Sequence, residues 1–174
     1  MYKIINTLGF QAGWWACIYS VAFDREIEAI LLCLLLAATH VARSTSPFQE
    51  IKLGVVTGLL GVLVDSLLQY FSVIQFNGWA LSGLSPFWLW ALWFLFAMTL
   101  NASLNFLKQL PLFLTATIGW VVGPLNYYAG ARLGAAQFEP SPQHVLIISV
   151  TWAAVICVLV RWSDRGHDKA QQKP

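Results

Sequence analysis

The sequence is short of charge. Only 10% of its 174 residues are charged, 10 of them basic and 8 acidic, whereas 58% are hydrophobic. A soluble domain carries about 25% charged residues, so this composition excludes an ordinary water-soluble protein. The formal net charge of +2 is too small for a nucleic-acid-binding surface. We therefore predict no nucleic-acid partner.

Signature motifs of the common enzyme chemistries are also missing. The sequence holds no GxSxG segment, no HExxH segment and no P-loop, which removes the usual serine hydrolases, zinc proteases and P-loop nucleotide-binding proteins. Its three histidines lie far apart. Its cysteines, Cys17, Cys33 and Cys157, each lie within an apolar run and are predicted to be packing residues. No metal site and no cofactor are predicted.

What the chain has instead is a series of long apolar runs. A membrane-spanning helix needs about 20 such residues, within a range of about 17–25, and runs without a period of two favour helices over a transmembrane barrel. We predict an all-α, polytopic membrane protein with a single embedded domain over residues 1–162 and a polar, disordered cytoplasmic tail over residues 163–174. The six predicted transmembrane helices cover residues 4–23, 27–42, 53–71, 86–104, 111–131 and 144–162. The second is the shortest and could be re-entrant.

Positive charges favour one orientation of these helices. With both termini in the cytoplasm, the predicted inner segments hold eight lysines and arginines, and the outer segments hold Arg25 and Arg132. Since positively charged loops stay in the cytoplasm, this distribution predicts a multi-pass protein of a bacterial inner membrane with both termini inside. Omitting the second span would scatter the charges over both sides, so the charge pattern supports that span.

Glycines occur in the odd-numbered helices and are absent from the even ones. They form one stripe in the third helix and another in the fifth, namely Gly54, Gly58 and Gly61, and Gly119, Gly123 and Gly130. Small residues let helix backbones approach closely in lipid. We therefore predict a central cluster of the odd helices, with the tryptophan-rich fourth helix at the periphery.

One carboxyl group stands alone in the apolar region. Asp65 lies on the glycine stripe of the third helix with Gln69 one turn later, and Asn126 lies on the stripe of the fifth. A charged residue at the centre of a membrane helix costs at least about 2.5–3.5 kcal/mol. Asp65 is therefore either functional or a hydrogen-bonded link between helices. Asn126 is its predicted partner, and Tyr127 and Arg132 are further candidate functional residues.

A second group of polar residues is predicted at the cytoplasmic end. It comprises Asn6, His40, Asn101, Ser103 and Asn105. Asn101 and Asn105 are four residues apart and are expected to share a helix face. His40, near the inner end of the second helix, is expected to form interfacial hydrogen bonds rather than to act in catalysis.

Two segments resemble a known family. They are Leu92-Trp93 to Phe96 with Thr99-Leu100-Asn101 and Ser103-Leu104, and Gly123-Pro124-Leu125 with Tyr127, Ala129-Gly130 and Arg132-Leu133-Gly134-Ala135. With Phe10-Gln11 and Trp14-Trp15, they are similar to a family of small bacterial inner-membrane proteins of unknown function, over nearly the whole chain to Trp162. That family often has histidine where this chain has Ala102, so the resemblance implies no histidine-based site in the fourth helix. Its members are encoded near enzymes that modify membrane fatty acids, which implies a link to lipid modification.

Three classes of function remain open. The first interpretation is a non-enzymatic protein of the lipid bilayer, either a small transporter or an accessory subunit of lipid-modifying membrane enzymes. The alternatives are a membrane-embedded enzyme that acts on lipid through Asp65, and a structural component that forms homo-oligomers. A polar cavity open to one side would favour transport, a cavity open laterally to lipid would favour an enzyme, and a dry core would favour a structural role.

Overall fold

Six helices make up most of the protein. The structure is a computed structural model that describes the backbone of residues 2–171 and the side chains of residues 2–164. The helices are α1 (Tyr2–Ala22), α2 (Glu26–Arg43), α3 (Pro47–Tyr70), α4 (Phe87–Leu100), α5 (Leu112–Arg132) and α6 (Pro142–Gln171). A two-residue strand follows α3 and another follows α5, β1 (Gln75–Phe76) and β2 (Ala136–Gln137), and a short 3-10 helix (Asn105–Gln109) precedes α5. The predicted all-α fold is confirmed.

Three helix boundaries differ from the prediction. α3 begins at Pro47, because proline fits the first turn of a helix, where its missing N–H would have no partner anyway. α4 ends at Leu100, where Thr99 O accepts the backbone N–H groups of Ala102 and Leu104 and the chain turns. α6 continues to Gln171, since extending an existing helix is far easier than starting one. The tail predicted to be disordered is thus helical from residue 163 to 171, and residues 172–174 lie outside the described residues.

Successive helices run in opposite directions. The start of α1, the end of α2 and the start of α3 meet at one end of the bundle, where Tyr2 and Glu50 contact His40. We name this the His40 end. At the opposite end, Glu26 at the start of α2 accepts the backbone N–H of Trp79, which precedes α4. This is the Asp65 end. α2 is one continuous helix that runs from the Asp65 end to the His40 end.

α4 is the central helix, and the prediction of a central cluster of odd helices is wrong. Ten of its 14 residues are buried. It packs against α3, α2 and α1, whereas α5 pairs along its length with α6. The arrangement is a ring of helices in the order α1, α2, α3, α6 and α5 around α4. The large aromatic side chains of α4 do not keep it at the periphery, because neighbouring helices provide space for them.

The glycine stripes accommodate those aromatic side chains. A Cβ atom at Gly61 would overlap the Trp93 ring, and one at Gly54 would lie 2.6 Å from the Phe94 ring. In α5, a Cβ atom at Gly123 would overlap the Trp152 ring of α6, whereas one at Gly119 would lie 2.6 Å from the Trp152 backbone oxygen and from Ile156 Cγ2. A Cβ atom at Gly130 would lie 3.3 Å from Ile18 of α1. A Cβ atom at Gly58 would have no atom of a neighbouring helix within 4 Å, so the predicted role of Gly58 in packing is not supported. Three of the six stripe glycines, Gly54, Gly61 and Gly123, therefore receive rings from neighbouring helices, whereas Gly119 lets the backbone of α6 approach.

The outer surface of the ring is apolar. Large hydrophobic side chains stand exposed on every outer helix, for example Leu8, Ile27, Leu59, Leu125 and Val158. By length and hydropathy, two of the described helices could cross a membrane, namely α3 and the part of α6 from Pro142 to Asp164. A contiguous apolar surface of this extent marks contact with a membrane or with another protein.

We expect Gly61→Ala to destabilise the protein and Gly58→Ala to be neutral or stabilising. The added methyl group at position 61 would push the buried Trp93 ring away, and such overpacking costs about 1–3 kcal/mol. At position 58 there is open space, and alanine favours a helix over glycine by about 1 kcal/mol. Thermal unfolding of both variants in the same detergent is the measurement. Equal unfolding temperatures for the two would contradict this role of Gly61.

Candidate ligand-binding cavity

A cavity of about 590 Å³ separates α5 from α4. Residues of α1 and α4 form one wall and residues of α5 and α6 the other, and Asp65 reaches it from α3. Cavities that bind small molecules span roughly 300–1,000 Å³. The space is therefore large enough for a ligand of that class.

Protein closes the cavity at both ends of the bundle. At the Asp65 end, β1 pairs antiparallel with β2, and Asn77 N donates to Ala135 O at 2.9 Å. Phe76 and Ala136 from these strands form part of the cavity wall. At the His40 end, the turn and the 3-10 helix after α4 contribute Ser103, Leu104 and Leu107 to the wall.

The cavity opens sideways between α1 and α5. Five residues both line it and stand exposed on the outer surface: Thr7, Gln11, Phe106, Val122 and Asn126. The backbones of α1 and α5 barely approach one another, and the two helices meet where Ile18 faces Gly130. We call this gap the lateral mouth. It connects the cavity with the apolar outer surface of the helix ring.

The cavity wall is aromatic and carries little charge. Nine aromatic side chains line it, namely Phe10, Trp14, Phe76, Trp88, Trp93, Phe96, Phe106, Tyr127 and Trp152. The Trp93 and Trp152 rings stack with centroids 5.0 Å apart and an interplanar angle of 17°. Among the described residues that line the cavity, Asp65 is the one carboxylic acid, and there is no lysine, arginine or histidine.

Asp65 is fully buried behind two of these rings. Trp93 Nε1 donates to Oδ2 at 2.7 Å, and the Tyr127 hydroxyl donates to Oδ1. Each oxygen of the carboxyl group therefore has a donor from a different helix, as a buried acceptor requires. These bonds join α3, α4 and α5 at one point. Chemically, the group combines a carboxyl acceptor with a phenol and an indole whose rings face the cavity.

The predicted partner of Asp65 is wrong by one residue. Asn126 stands at the lateral mouth, and its amide donates to Val122 O in its own helix at 2.9 Å. Tyr127, one residue later and about 100° further around the helix, points inward and forms the bond instead. Gln69 is also separate, because its Oε1 accepts the backbone N–H of Phe76 at 3.3 Å. Arg132 is exposed at the end of α5.

The structure brings most of the second polar group together and adds Glu50 to it. His40 Nδ1 lies 3.0 Å from the Tyr2 hydroxyl and 3.3 Å from Asn6 Nδ2. Asn6 Oδ1 in turn accepts the Ser103 hydroxyl at 2.7 Å. We name the whole set the His40 cluster, which consists of Tyr2, Asn6, His40, Glu50, Asn101, Ser103 and Lys108.

Glu50 connects His40 to the second half of this cluster. Its Oε2 lies 3.4 Å from His40 Nε2, within ion-pair distance but without hydrogen-bond geometry. Its Oε1 accepts Asn101 Nδ2 at 3.1 Å, and Asn101 Oδ1 accepts Lys108 Nζ at 2.7 Å. Glu50 is buried, although the sequence places it in a predicted loop. The signal for it was Ser46-Pro47, a helix start that puts Glu50 in the first turn of α3.

Asn101 and Asn105 do not share a helix face. α4 ends at Leu100, so Asn101 caps it, and Asn105 begins the 3-10 helix. The prediction of an i, i+4 pair is wrong because the turn after Leu100 intervenes. Of the two, Asn101 belongs to the His40 cluster.

A comparison with known families gives one match. The model of a family described as "Protein of unknown function (DUF2878)" matches residues 3–158. The chain belongs to the DUF2878 family. The expected resemblance to a family of unknown function is thereby confirmed. No curated protein and no solved structure matches this DUF2878 chain.

We expect Asp65→Leu to unfold more easily than Asp65→Asn. Leucine would leave the Trp93 N–H and the Tyr127 hydroxyl buried without partners, at about 1–3 kcal/mol each. Asparagine can still accept from Trp93 and can donate to the Tyr127 oxygen, so most of the bonding survives. Thermal unfolding in detergent measures the difference.

The matched pair for this prediction is Tyr127→Phe and Tyr128→Phe. The first removes a buried bond to Asp65, and the second changes an exposed neighbour. If Asp65→Leu and Tyr127→Phe both unfold at the wild-type temperature, the bonds at Asp65 contribute nothing to the fold.

Proposed function

We propose that this DUF2878 chain is a multi-pass membrane protein that takes a lipid-like ligand from the bilayer into its cavity. The observation that carries this proposal is the lateral mouth. It lies between two helices with apolar outer faces, while the two ends of the cavity are covered by protein. A ligand that enters there comes from an apolar phase, and a bilayer is such a phase.

The distribution of apolar and charged residues supports the membrane part of the proposal. Every outer helix exposes large hydrophobic side chains, which lipid would cover at no cost. α4 is only about 21 Å long, but it is the central helix and other helices surround it, so it need not cross the lipid in contact with acyl chains. We propose six spans in a bacterial inner membrane.

The basic residues support an orientation with both termini in the cytoplasm. Four basic residues belong to segments at the His40 end, namely Lys3, Arg43, Lys52 and Lys108. Arg161 belongs to the same end, because its neighbour Trp162 has a ring whose centroid lies 5.9 Å from Lys52 Nζ. Arg25 and Arg132 belong to the Asp65 end. The excess of positive charge favours the cytoplasm for the His40 end.

A binding role fits the cavity better than transport or a purely structural role. A transport pathway for a polar solute would need openings to water at both ends, and both ends carry protein. A purely structural protein would have a filled core. We therefore propose an accessory protein that binds or presents lipid to lipid-modifying membrane enzymes. Self-association into a homo-oligomer stays a prediction.

A second candidate function is an enzyme that acts on lipid. The observation that favours it is the position of Asp65 and Tyr127 in the cavity wall, where a carboxyl and a phenol could exchange a proton with a bound ligand. Binding is the stronger proposal because both oxygens of Asp65 already hold donors. An Asp65→Asn variant that folds and binds lipid but no longer complements a deletion strain would favour the enzyme.

We expect Val122→Trp to abolish binding of a photoactivatable fatty acid and Val121→Trp to leave it intact. Both valines are about half exposed, but of the two only Val122 lines the cavity. A tryptophan at position 122 would fill the lateral mouth, and one at position 121 would face outward. Crosslinking to the purified chain in nanodiscs, followed by mass spectrometry of the labelled peptide, is the measurement. Equal labelling of both variants would contradict the proposed function.

We expect reporters fused after Phe48, Gly78, Lys108 and Gln137 to give inside, outside, inside and outside. The reason is the excess of basic residues at the His40 end. Paired cytoplasmic and periplasmic reporter enzymes measure this in bacterial cells. An outside signal after Phe48 would mean that α2 does not cross the membrane.

A further inference from the structure

We propose that the ligand of this cavity carries an organic cation, either a quaternary or a protonated amine attached to an apolar body. The cation would lie at the Asp65 end, against the aromatic rings that stand in front of the carboxyl group. This inference rests on the proposed function and names the chemical class of its ligand.

The charge of the cavity wall is the first reason. Among the described residues that line the cavity, Asp65 is the one carboxylic acid, and none is a lysine or an arginine. Lys108 is bonded to Asn101 at the opposite end of the bundle, and Arg132 is exposed beyond the mouth. A buried carboxylate is stable only when it is neutralised or gains a positive partner. A cationic ligand would supply that partner.

The rings around Asp65 are the second reason. Tyr127 donates to a carboxyl oxygen, which draws its proton away and makes its ring face more negative. Trp93 also donates to the carboxyl group, but Gly61 and Trp152 cover the two faces of its ring. Trp152 stacks on Trp93, and Phe76 lies 5.7 Å from Tyr127, so four rings gather at one end of the cavity. Cations are attracted to aromatic faces within about 6 Å, and cages of such rings recognise quaternary ammonium groups.

The burial of Asp65 defines how it would act. Its side chain is fully covered, whereas Tyr127 keeps 8% and Trp93 keeps 5% of its surface exposed. The cation would therefore touch the Tyr127 and Phe76 rings, because Gly61 and Trp152 cover both faces of Trp93. Asp65 would attract it through Tyr127 without direct contact. Asp65 is thus a positioning residue, and its substitution should change the preference for charge rather than the ability to bind an apolar body.

The competing possibility is a neutral ligand such as a saturated acyl chain. Such a chain gains from any apolar wall, so neither the carboxyl group nor the gathering of four rings beside it would affect its binding. The two possibilities differ in one measurable respect, which is the dependence of affinity on the charge of the ligand.

Three probes of similar shape and different charge separate them. They are tetraphenylphosphonium, which is a cation, tetraphenylborate, which is an anion, and triphenylmethanol, which is neutral. Binding to the full chain in dodecyl maltoside micelles is measured by equilibrium dialysis, with protein-free micelles subtracted. We expect the cation to bind roughly tenfold more tightly than the neutral probe, and the anion to bind most weakly.

Asp65→Asn should lower the affinity for tetraphenylphosphonium roughly tenfold, to the level of the neutral probe. It should leave triphenylmethanol binding unchanged, and its unfolding temperature should remain near that of the wild type. Glu28→Gln makes the same change of charge at an exposed residue far from the cavity. It should change the affinity for none of the probes.

Two results would overturn the inference in different ways. If the cation and the neutral probe bind equally in wild type and in Asp65→Asn, and Val122→Trp abolishes both, the cavity binds ligands without regard to charge and the proposed function stands. If Val122→Trp leaves the binding of every probe unchanged, the probes bind elsewhere on the chain. In that case the inference fails together with the proposed cavity.

Discussion

A carboxyl group that is buried among apolar helices must have its oxygens bonded, and much of this structure depends on how Asp65 meets that requirement. Its two donors come from two other helices, Trp93 in α4 and Tyr127 in α5. α5 otherwise packs mainly on α6. The bond from Tyr127 is therefore a direct polar link between α5 and α3. It fixes α5 at a distance from α4 that leaves the cavity between them.

The same aromatic side chains build the core and the cavity wall. Trp93 fits over Gly61 on one side, bonds Asp65 through its N–H, and stacks on Trp152 on the other side. Trp152 in turn packs its ring on Gly123 and its backbone on Gly119. A ring held at both faces and at its polar atom has one position. The cavity can therefore keep its shape although dispersion forces favour closure of any space inside a protein.

The sequence is informative about the helices and less informative about their neighbours. Hydrophobic runs and charge placement predict six helices of alternating direction. The isolation of Asp65 in an apolar stretch predicts that this residue is functional or links helices. The prediction that Asn126 bonds Asp65 fails because Asn126 and the next residue, Tyr127, point to different faces of α5. The periodicity of the sequence does not show which of these faces meets α3. The glycine stripes have the same ambiguity. A small residue can receive either a backbone or a ring, and the structure shows both: rings at Gly61 and Gly123, and the backbone of α6 at Gly119.

The polar residues at the two ends of α4 restrict how a ligand can reach the cavity. At the Asp65 end, Gln69 of α3 accepts the backbone N–H of Phe76 in β1, and Asn77 donates to Gly134 O after α5. At the His40 end, Asn6 bonds both Ser103 and Met98 O, which fixes the turn that closes the cavity there. Each closure uses polar side chains that would be costly to expose in lipid and that water could solvate easily. These bonds cover the two ends of the cavity, while the lateral mouth between α1 and α5 has no such closure. An apolar molecule at the outer surface of the helix ring would reach the cavity through this gap, whereas a water-soluble molecule that entered at either end would first have to break these bonds.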